Sequence, residues 1–292
     1  MFESFTEEFV DVGAARLFVR HGGSGEPIVL LHGHPRTSAT WHRVAPLLMD
    51  AGYAVVCPDL RGYGRSSGPD PTSDHAAYSK AAMAADIAAL MQEFGHSRFH
   101  VVGHDRGSYV AFSLARHHPR RVRRLVLLEC IPIVEHLERI SAEFATAWWH
   151  WFFFAQPEKP ERAINADPEA WYRVDPERMG RENFAEWQRA VHDPAVIRAM
   201  LEDYRAGLGV DRADEEAARA AGIRISAPLL VLWAMRDDLE ELHGDPVAIW
   251  RNWADDVRGH AIDSGHHIAE DAPQELADAI IDFLGNDDGA GP

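Results

Sequence analysis

Asp105 stands at the centre of Gly103-His104-Asp105-Arg106-Gly107, between the apolar run Phe99-His100-Val101-Val102 and the helix-like stretch from Ser108 to Leu114. Two glycines flanking one reactive side chain at this spacing fit a tight strand-to-helix turn that lifts the central group clear of the chain, as in the commoner G-x-S-x-G arrangement. Here the lifted group is a carboxylate. A serine exchanges acyl groups at carbonyl carbon, whereas a carboxylate is suited to attack saturated carbon bearing a leaving group, giving an alkyl ester. The chemistry narrows to displacement of a halide or opening of an epoxide.

The elements that must position Asp105 alternate between apolar strand-like runs and helical patterns, as expected for a mostly parallel sheet covered by helices. Strands are expected at Arg16 to Arg20, Pro27 to His32, Ala54 to Pro58, Arg98 to Gly103, Leu125 to Cys130, Leu229 to Trp233 and Val257 to Ile262. Several of these runs are nearly all apolar, which fits strands buried on both faces. Helices are expected at Thr40 to Met49, Ser79 to Phe94, Arg106 to His117 and Pro273 to Leu284, where apolar residues recur at three and four. From Pro132 to Ala227 no strand pattern appears. That segment holds five of the nine tryptophans (Trp148, Trp149, Trp151, Trp171, Trp187) and reads as a helical cap, residues 132–227, inserted into a core of residues 1–131 and 228–292. Some of its aromatics would form the cap's own core and others would roof an apolar cavity. The tail from Gly285 to Pro292 is too polar and glycine-rich to order by itself.

The chain has 292 residues, 46% of them hydrophobic, enough for one large domain with an insertion. Its 46 acidic against 29 basic residues give a net charge of -17, which argues against nucleic acid or an anionic membrane as partner. The expected partner is a small-molecule substrate, with a homodimer left open. Cys57 and Cys130 end apolar runs and read as reduced, buried thiols. The N-terminus carries acids where a signal peptide has bases, and no apolar run approaches the roughly 20 residues that span a bilayer. A cytoplasmic location is therefore expected. Among 17 histidines no HExxH or Cys/His zinc spacing appears, so no metal or organic cofactor is expected.

Three further motifs flank the Asp105 turn. His32-Gly33-His34-Pro35, Asp59-Leu60-Arg61-Gly62-Tyr63-Gly64-Arg65-Ser66 and Ser264-Gly265-His266 occur in the order, and beside the strands, in which the α/β-hydrolase superfamily carries its oxyanion loop, its D-x-R-G-x-G-x-S turn and its catalytic base. The resemblance covers essentially the whole chain. It implies an α/β-hydrolase fold, with a mostly parallel central sheet, helices on both faces and a helical cap inserted after the sixth strand. An aspartate at the turn is similar to haloalkane dehalogenases, epoxide hydrolases and haloacetate (fluoroacetate) dehalogenases. Haloalkane dehalogenases place tryptophan after the nucleophile, where this chain has Arg106. A guanidinium offers a planar fork suited to a carboxylate, which favours the haloacetate branch; the competing role for Arg106 is an ion pair with an acid such as Asp59.

The same resemblance implies the rest of the site. His150 and Trp151, with Tyr204 further on, match a halide-binding trio of N–H and O–H donors. His266 is the expected base, and the backbone N–H groups of His34 and Arg106 are the expected oxyanion donors. Glu129 after the sixth strand is preferred as the acid of the triad, because a carboxyl ending a buried strand needs a partner; Asp237 after the seventh is the alternative. Where the fluoroacetate pattern has a second arginine, this chain has Tyr109, a weaker partner for a substrate carboxylate. The expectation is hydrolysis of short 2-halo acids through an ester on Asp105, giving a 2-hydroxy acid and halide. The alternative is an epoxide hydrolase using Asp105 and His266 with Tyr204 and Tyr172 as acids; a non-catalytic binding protein on the same fold is the remaining rival.

Overall fold

The computed structural model describes residues 1–285. Eight strands form one sheet: β1 (Thr6–Asp11), β2 (Arg16–Gly22), β3 (Glu26–Leu31), β4 (Tyr53–Pro58), β5 (Phe99–His104), β6 (Val122–Leu128), β7 (Leu229–Ala234) and β8 (Val257–Ile262). Their order across the sheet is β1-β2-β4-β3-β5-β6-β7-β8. The pairs β1–β2 and β2–β4 are antiparallel, and every pair from β4–β3 to β7–β8 is parallel. Seven of these strands carry the expected apolar runs. β1 was not expected: its residues are mostly exposed and it pairs only at the sheet edge, so burial leaves almost no pattern on it.

Helices cover both faces, as the apolar residues on both sides of β5 and β6 require. They are α1 (Ala45–Asp50), α2 (Lys80–Glu93, capped by the Ser79 hydroxyl) and α3 (Arg106–His117). The single helix expected over Thr40 to Met49 is instead a 3-10 turn, Ser38–Trp41, followed by α1. Pro46 explains the break, since proline lacks the N–H a continuing helix needs and suits a first turn.

Between β6 and β7 the described chain forms helices and no named strand. They are α4 (Ile133–Glu138), α5 (Ala142–Ala147), α6 (Trp149–Phe154), α7 (Lys159–Ala166), α8 (Pro168–Tyr172), α9 (Pro176–Met179), α10 (Arg181–Val191), α11 (Pro194–Ala206) and α12 (Arg212–Ala220). After β7 come α13 (Leu239–His243) and α14 (Pro246–Trp250), and after β8 come α15 (Ile268–Asp271) and α16 (Pro273–Gly285). The core is continuous from sheet to insertion, with Trp187, Ile197 and Leu201 in the same apolar cluster as Val101 and Leu127. Cys57 and Cys130 are buried free thiols. No helix among the described residues is long and apolar enough to cross a membrane. The expectation for the C-terminal tail beyond Gly285 falls outside the described residues.

Candidate active site

The turn after β5 holds Asp105 at φ 50°, outside the comfortable region for a side chain, a conformation of the kind that costs about 1–3 kcal/mol. The turn is closed by close backbone approach. A Cβ on Gly103 would lie 2.5 Å from the Gly107 carbonyl oxygen, and one on Gly107 would lie 2.4 Å from that of Leu31. The Asp105 N–H donates to the Leu128 carbonyl at 3.0 Å, and the Ser108 hydroxyl donates to the Gly103 carbonyl at 2.7 Å. β5, β6 and α3 thus fix the elbow from three sides.

One carboxylate oxygen of Asp105, Oδ1, accepts a 2.6 Å hydrogen bond from the His34 backbone N–H, and Oδ2 faces His266 Nε2 at 4.0 Å. Burial pushes the Asp105 carboxyl up, but the nearby His266, His104 and Arg106 and the Arg106 backbone N–H outweigh it, so it stays ionised below the usual carboxylate range. His266 follows β8, in the loop before α15. Its Nδ1 lies 2.7 Å from Asp237 Oδ2 and 3.6 Å from Glu129 Oε2.

The sequence-based preference for Glu129 is corrected here: Asp237 is the closer partner and makes the hydrogen bond. Glu129 sits at φ 55° with Oε1 taken by the Ala234 N–H at the end of β7, which leaves Oε2 as a second, longer contact to His266. Burial pushes Glu129 up to about 7. Asp237 is held at about 2, because its hydrogen bond to His266 and that residue's charge outweigh desolvation. His266, despite burial, is raised well above the ordinary imidazole value by Asp237, Glu129 and Asp105.

A chamber of about 290 Å³ opens over Asp105, and His34, His150, Trp151, Tyr204, Asp237 and His266 are among its walls. The expected trio therefore comes together from α6 and α11, with the His150 and Tyr204 rings 6.1 Å apart and the Trp151 and Tyr204 rings 6.3 Å apart. His150 has its imidazole pushed down to about 4 by burial, so it is neutral near pH 7.

Two expectations fail. Arg106 does not line the chamber: its guanidinium, 1% exposed, is bound to Asp203 through Nε at 3.1 Å and Nη2 at 2.9 and 3.1 Å, and lies 4.2 Å from the centre of the Tyr204 ring. Tyr109 is turned to His136, 2.9 Å from its Nε2. A carboxylate clamp by these two side chains is not presented to the chamber, because an acid from α11 and a histidine from α4 have already engaged them. Asp59, the rival partner for Arg106, instead accepts from the backbone of Ser38 and Arg65.

Sequence reasoning missed Asp203, which also receives the Tyr63 hydroxyl at 2.7 Å and the Lys80 ammonium. Its place directly before Tyr204 was the available signal. It also missed Asp238, a chamber wall bonded to Trp148 Nε1 at 2.8 Å, and the His34 side chain. Two groups have metal-ligand spacing, His104 with His266 and His267, and Glu129 with Asp237 and His266. Both share His266, and His104 Nε2 already bonds the His266 carbonyl oxygen at 2.7 Å.

A carboxylate on a strand-to-helix elbow, a histidine–acid pair after the last strands and backbone donors from the loop after β3 define an α/β-hydrolase, and the model of that fold matches residues 26–273. The chain belongs to the α/β-hydrolase family. It is 37% identical to a fluoroacetate dehalogenase of Burkholderia sp over 97% of this chain and 95% of that one. It is 30% identical to a soluble epoxide hydrolase of Corynebacterium sp. (strain C12) over 94% and 95%. A solved structure from Nostoc sp PCC 7120, described provisionally as an alpha/beta hydrolase, superposes with a TM-score of 0.94 at 41% identity, covering 98% of this chain and all of that one.

Proposed function

We propose that this hydrolase cleaves carbon–halogen bonds of short 2-halo acids through an ester on Asp105. One observation carries the reading: Asp105 Oδ2 opens onto a single chamber with His266 on one side and the donors of His150, Trp151 and Tyr204 on another. In the first step Oδ2 attacks the halogen-bearing carbon, the C–O bond forms, and the C–X electron pair leaves with the halide towards the trio. Donors to an anion contribute about 1.5–3 kcal/mol each, which matters most for fluoride, the poorest leaving group. In the second step His266 takes a proton from water, which attacks the Asp105 carboxyl carbon. The oxyanion forms where the His34 and Arg106 backbone N–H groups converge; as it collapses the Asp105 Cγ–Oδ2 bond breaks, and the departing alkyl oxygen takes the proton held by His266 to become the product hydroxyl. Asp237 orients His266. Similarity to the fluoroacetate dehalogenase supports the halo acid, and the protein needs no cofactor for either step.

Epoxide hydrolysis by the same pair is the second reading, favoured by the Corynebacterium relative and by Tyr204. It calls for two phenols over Asp105: Tyr204 is a wall of that chamber, and Tyr172 lines the adjoining cavity that shares His34 and His150 with it. The test is incubation of wild type and His266→Ala with fluoroacetate, chloroacetate, 2-halopropionates and styrene oxide, following halide release and intact mass. A halo acid adduct on Asp105 in the variant is the expected result. Adduct with styrene oxide alone would move the assignment to epoxides, and no adduct with any substrate would remove both.

A further inference from the structure

The chamber over Asp105 shares two of its walls, His34 and His150, with a second cavity of about 490 Å³. The rest of that cavity is largely aromatic, formed by Trp149, Phe154, Trp171 and Tyr172 with Ala170 and Arg173 beside them. Trp149 is 49% exposed although it is among the largest apolar side chains, and such uncovered aromatic surface beside a reactive chamber is characteristic of binding sites.

Polar groups at the junction point the same way. Neither ring nitrogen of His34 has a hydrogen-bond partner among the described residues, although the residue is only 9% exposed, and the buried Tyr172 hydroxyl has none either. The two rings are 5.3 Å apart. Buried polar atoms in folded proteins are nearly always paired, so a juxtaposed pair left open at a cavity wall is built for a ligand. Burial keeps the His34 imidazole neutral down to about pH 3, so the ring carries one N–H donor, and the phenol adds an O–H. Two donors side by side match the two oxygens of a carboxylate. They stand in the role expected of Arg106 and Tyr109, which Asp203 and His136 occupy.

Resting on the dehalogenase reading above, we propose that the preferred substrates are 2-halo acids larger than a haloacetate. The carboxylate accepts from the His34 ring and the Tyr172 hydroxyl, and a flat apolar substituent on the halogen-bearing carbon lies against Trp149 and Trp171.

The test is kcat/KM, from bromide release above the uncatalysed rate, for bromoacetate, 2-bromopropionate and 2-bromo-2-phenylacetate. The value should rise along the series by about tenfold or more, the size expected when an apolar group gains a pocket. Trp149→Ala, a change at a half-exposed position, and Trp171→Leu should each collapse that ratio. Tyr172→Phe and His34→Phe keep the ring packing. Each should raise KM for 2-bromo-2-phenylacetate about tenfold, with a smaller effect on kcat and on the corresponding amide, the signature of lost ground-state binding. Preference for bromoacetate, or an unchanged ratio in both tryptophan variants, overturns the substrate assignment while leaving the dehalogenase reading intact. Absence of bromide and of Asp105 adduct with every acid removes the dehalogenase reading itself.

Discussion

His266 lies 4.0 Å from Asp105, 3.6 Å from Glu129 and 2.7 Å from Asp237, so its charge answers to three carboxyl groups at once. The three carboxyl groups favour the protonated ring, and an imidazolium is no base. On the proposed route, esterification would remove the charge of Asp105, one of the groups that raise the His266 pKa, and so release the ring to accept a proton at the moment it is needed. The two half-reactions therefore carry opposite signatures. Alkylation needs ionised Asp105, whose pKa is depressed, and in single-turnover mixing it should stay constant well into the acid range. Ester hydrolysis needs neutral His266, whose pKa is raised, and should accelerate as pH increases; a hydrolysis rate that falls with pH would refute this order of events. The choice between the two acids is testable in the same experiment. Asp237→Asn should slow ester hydrolysis by about 10²–10⁴, the usual worth of a positioned base, and accumulate adduct. Glu129→Gln, which keeps an acceptor for the Ala234 N–H, should cost less than about tenfold.

At the scale of elements, α3, α6 and α11 do most of the positioning. Asp203 on α11 gathers Arg106 from α3, Lys80 from α2 and Tyr63 from the loop after β4, all buried, and holds Tyr204 over the Asp105 chamber as the next residue in the helix. Removing one member of a buried ion pair leaves its partners unpaired, at a cost of about 3–5 kcal/mol. Asp203→Ala should lower stability by that amount in urea unfolding and weaken halide release as well; a loss below about 1 kcal/mol would show that the cluster is not the anchor. The short α6 presents His150 and Trp151 on adjoining positions, and Trp151→Phe removes the indole N–H while keeping an aromatic, though smaller, ring in place. It should slow fluoride release more than bromide release, because the smaller, harder anion depends more on hydrogen bonds; equal slowing would misplace the halide pocket.

Across the whole molecule, Glu270 on α15 ties together three distant parts of the chain. It receives Arg36 through Nε at 2.8 Å and Nη2 at 3.0 Å, the Thr40 hydroxyl at 3.0 Å and the Asn183 amide of α10 at 3.1 Å. Through it the loop that supplies the His34 N–H, the loop that supplies His266 and the helical insertion share one buried carboxylate. Burial raises its pKa, but Arg36 and the other donors outweigh that and hold it below its ordinary value. A depressed carboxyl contributes stability above its unfolded value and loses it as pH falls through the folded one. Glu270→Gln should therefore lower Tm near neutral pH and shift acid unfolding to be less steep. An unchanged acid limb would show that Glu270 carries none of that dependence.

The elbow at Asp105, seven of the eight strands and the motifs carrying His34 and His266 were legible in the sequence, because tight turns demand glycine and doubly buried strands demand apolar runs whatever surrounds them. Such requirements are local, so they leave local marks. β1 left none because an exposed edge strand buries too little to constrain its residues. Which acid serves His266 was decided by where β6 and β7 end relative to β8, and Asp237 and Glu129 differ there by under an ångström in reach. The fate of Arg106 was likewise a tertiary matter. A guanidinium bonds whichever acid the fold brings nearest, and Asp203, 97 positions further along the chain, is placed beside it only when α11 packs over the sheet.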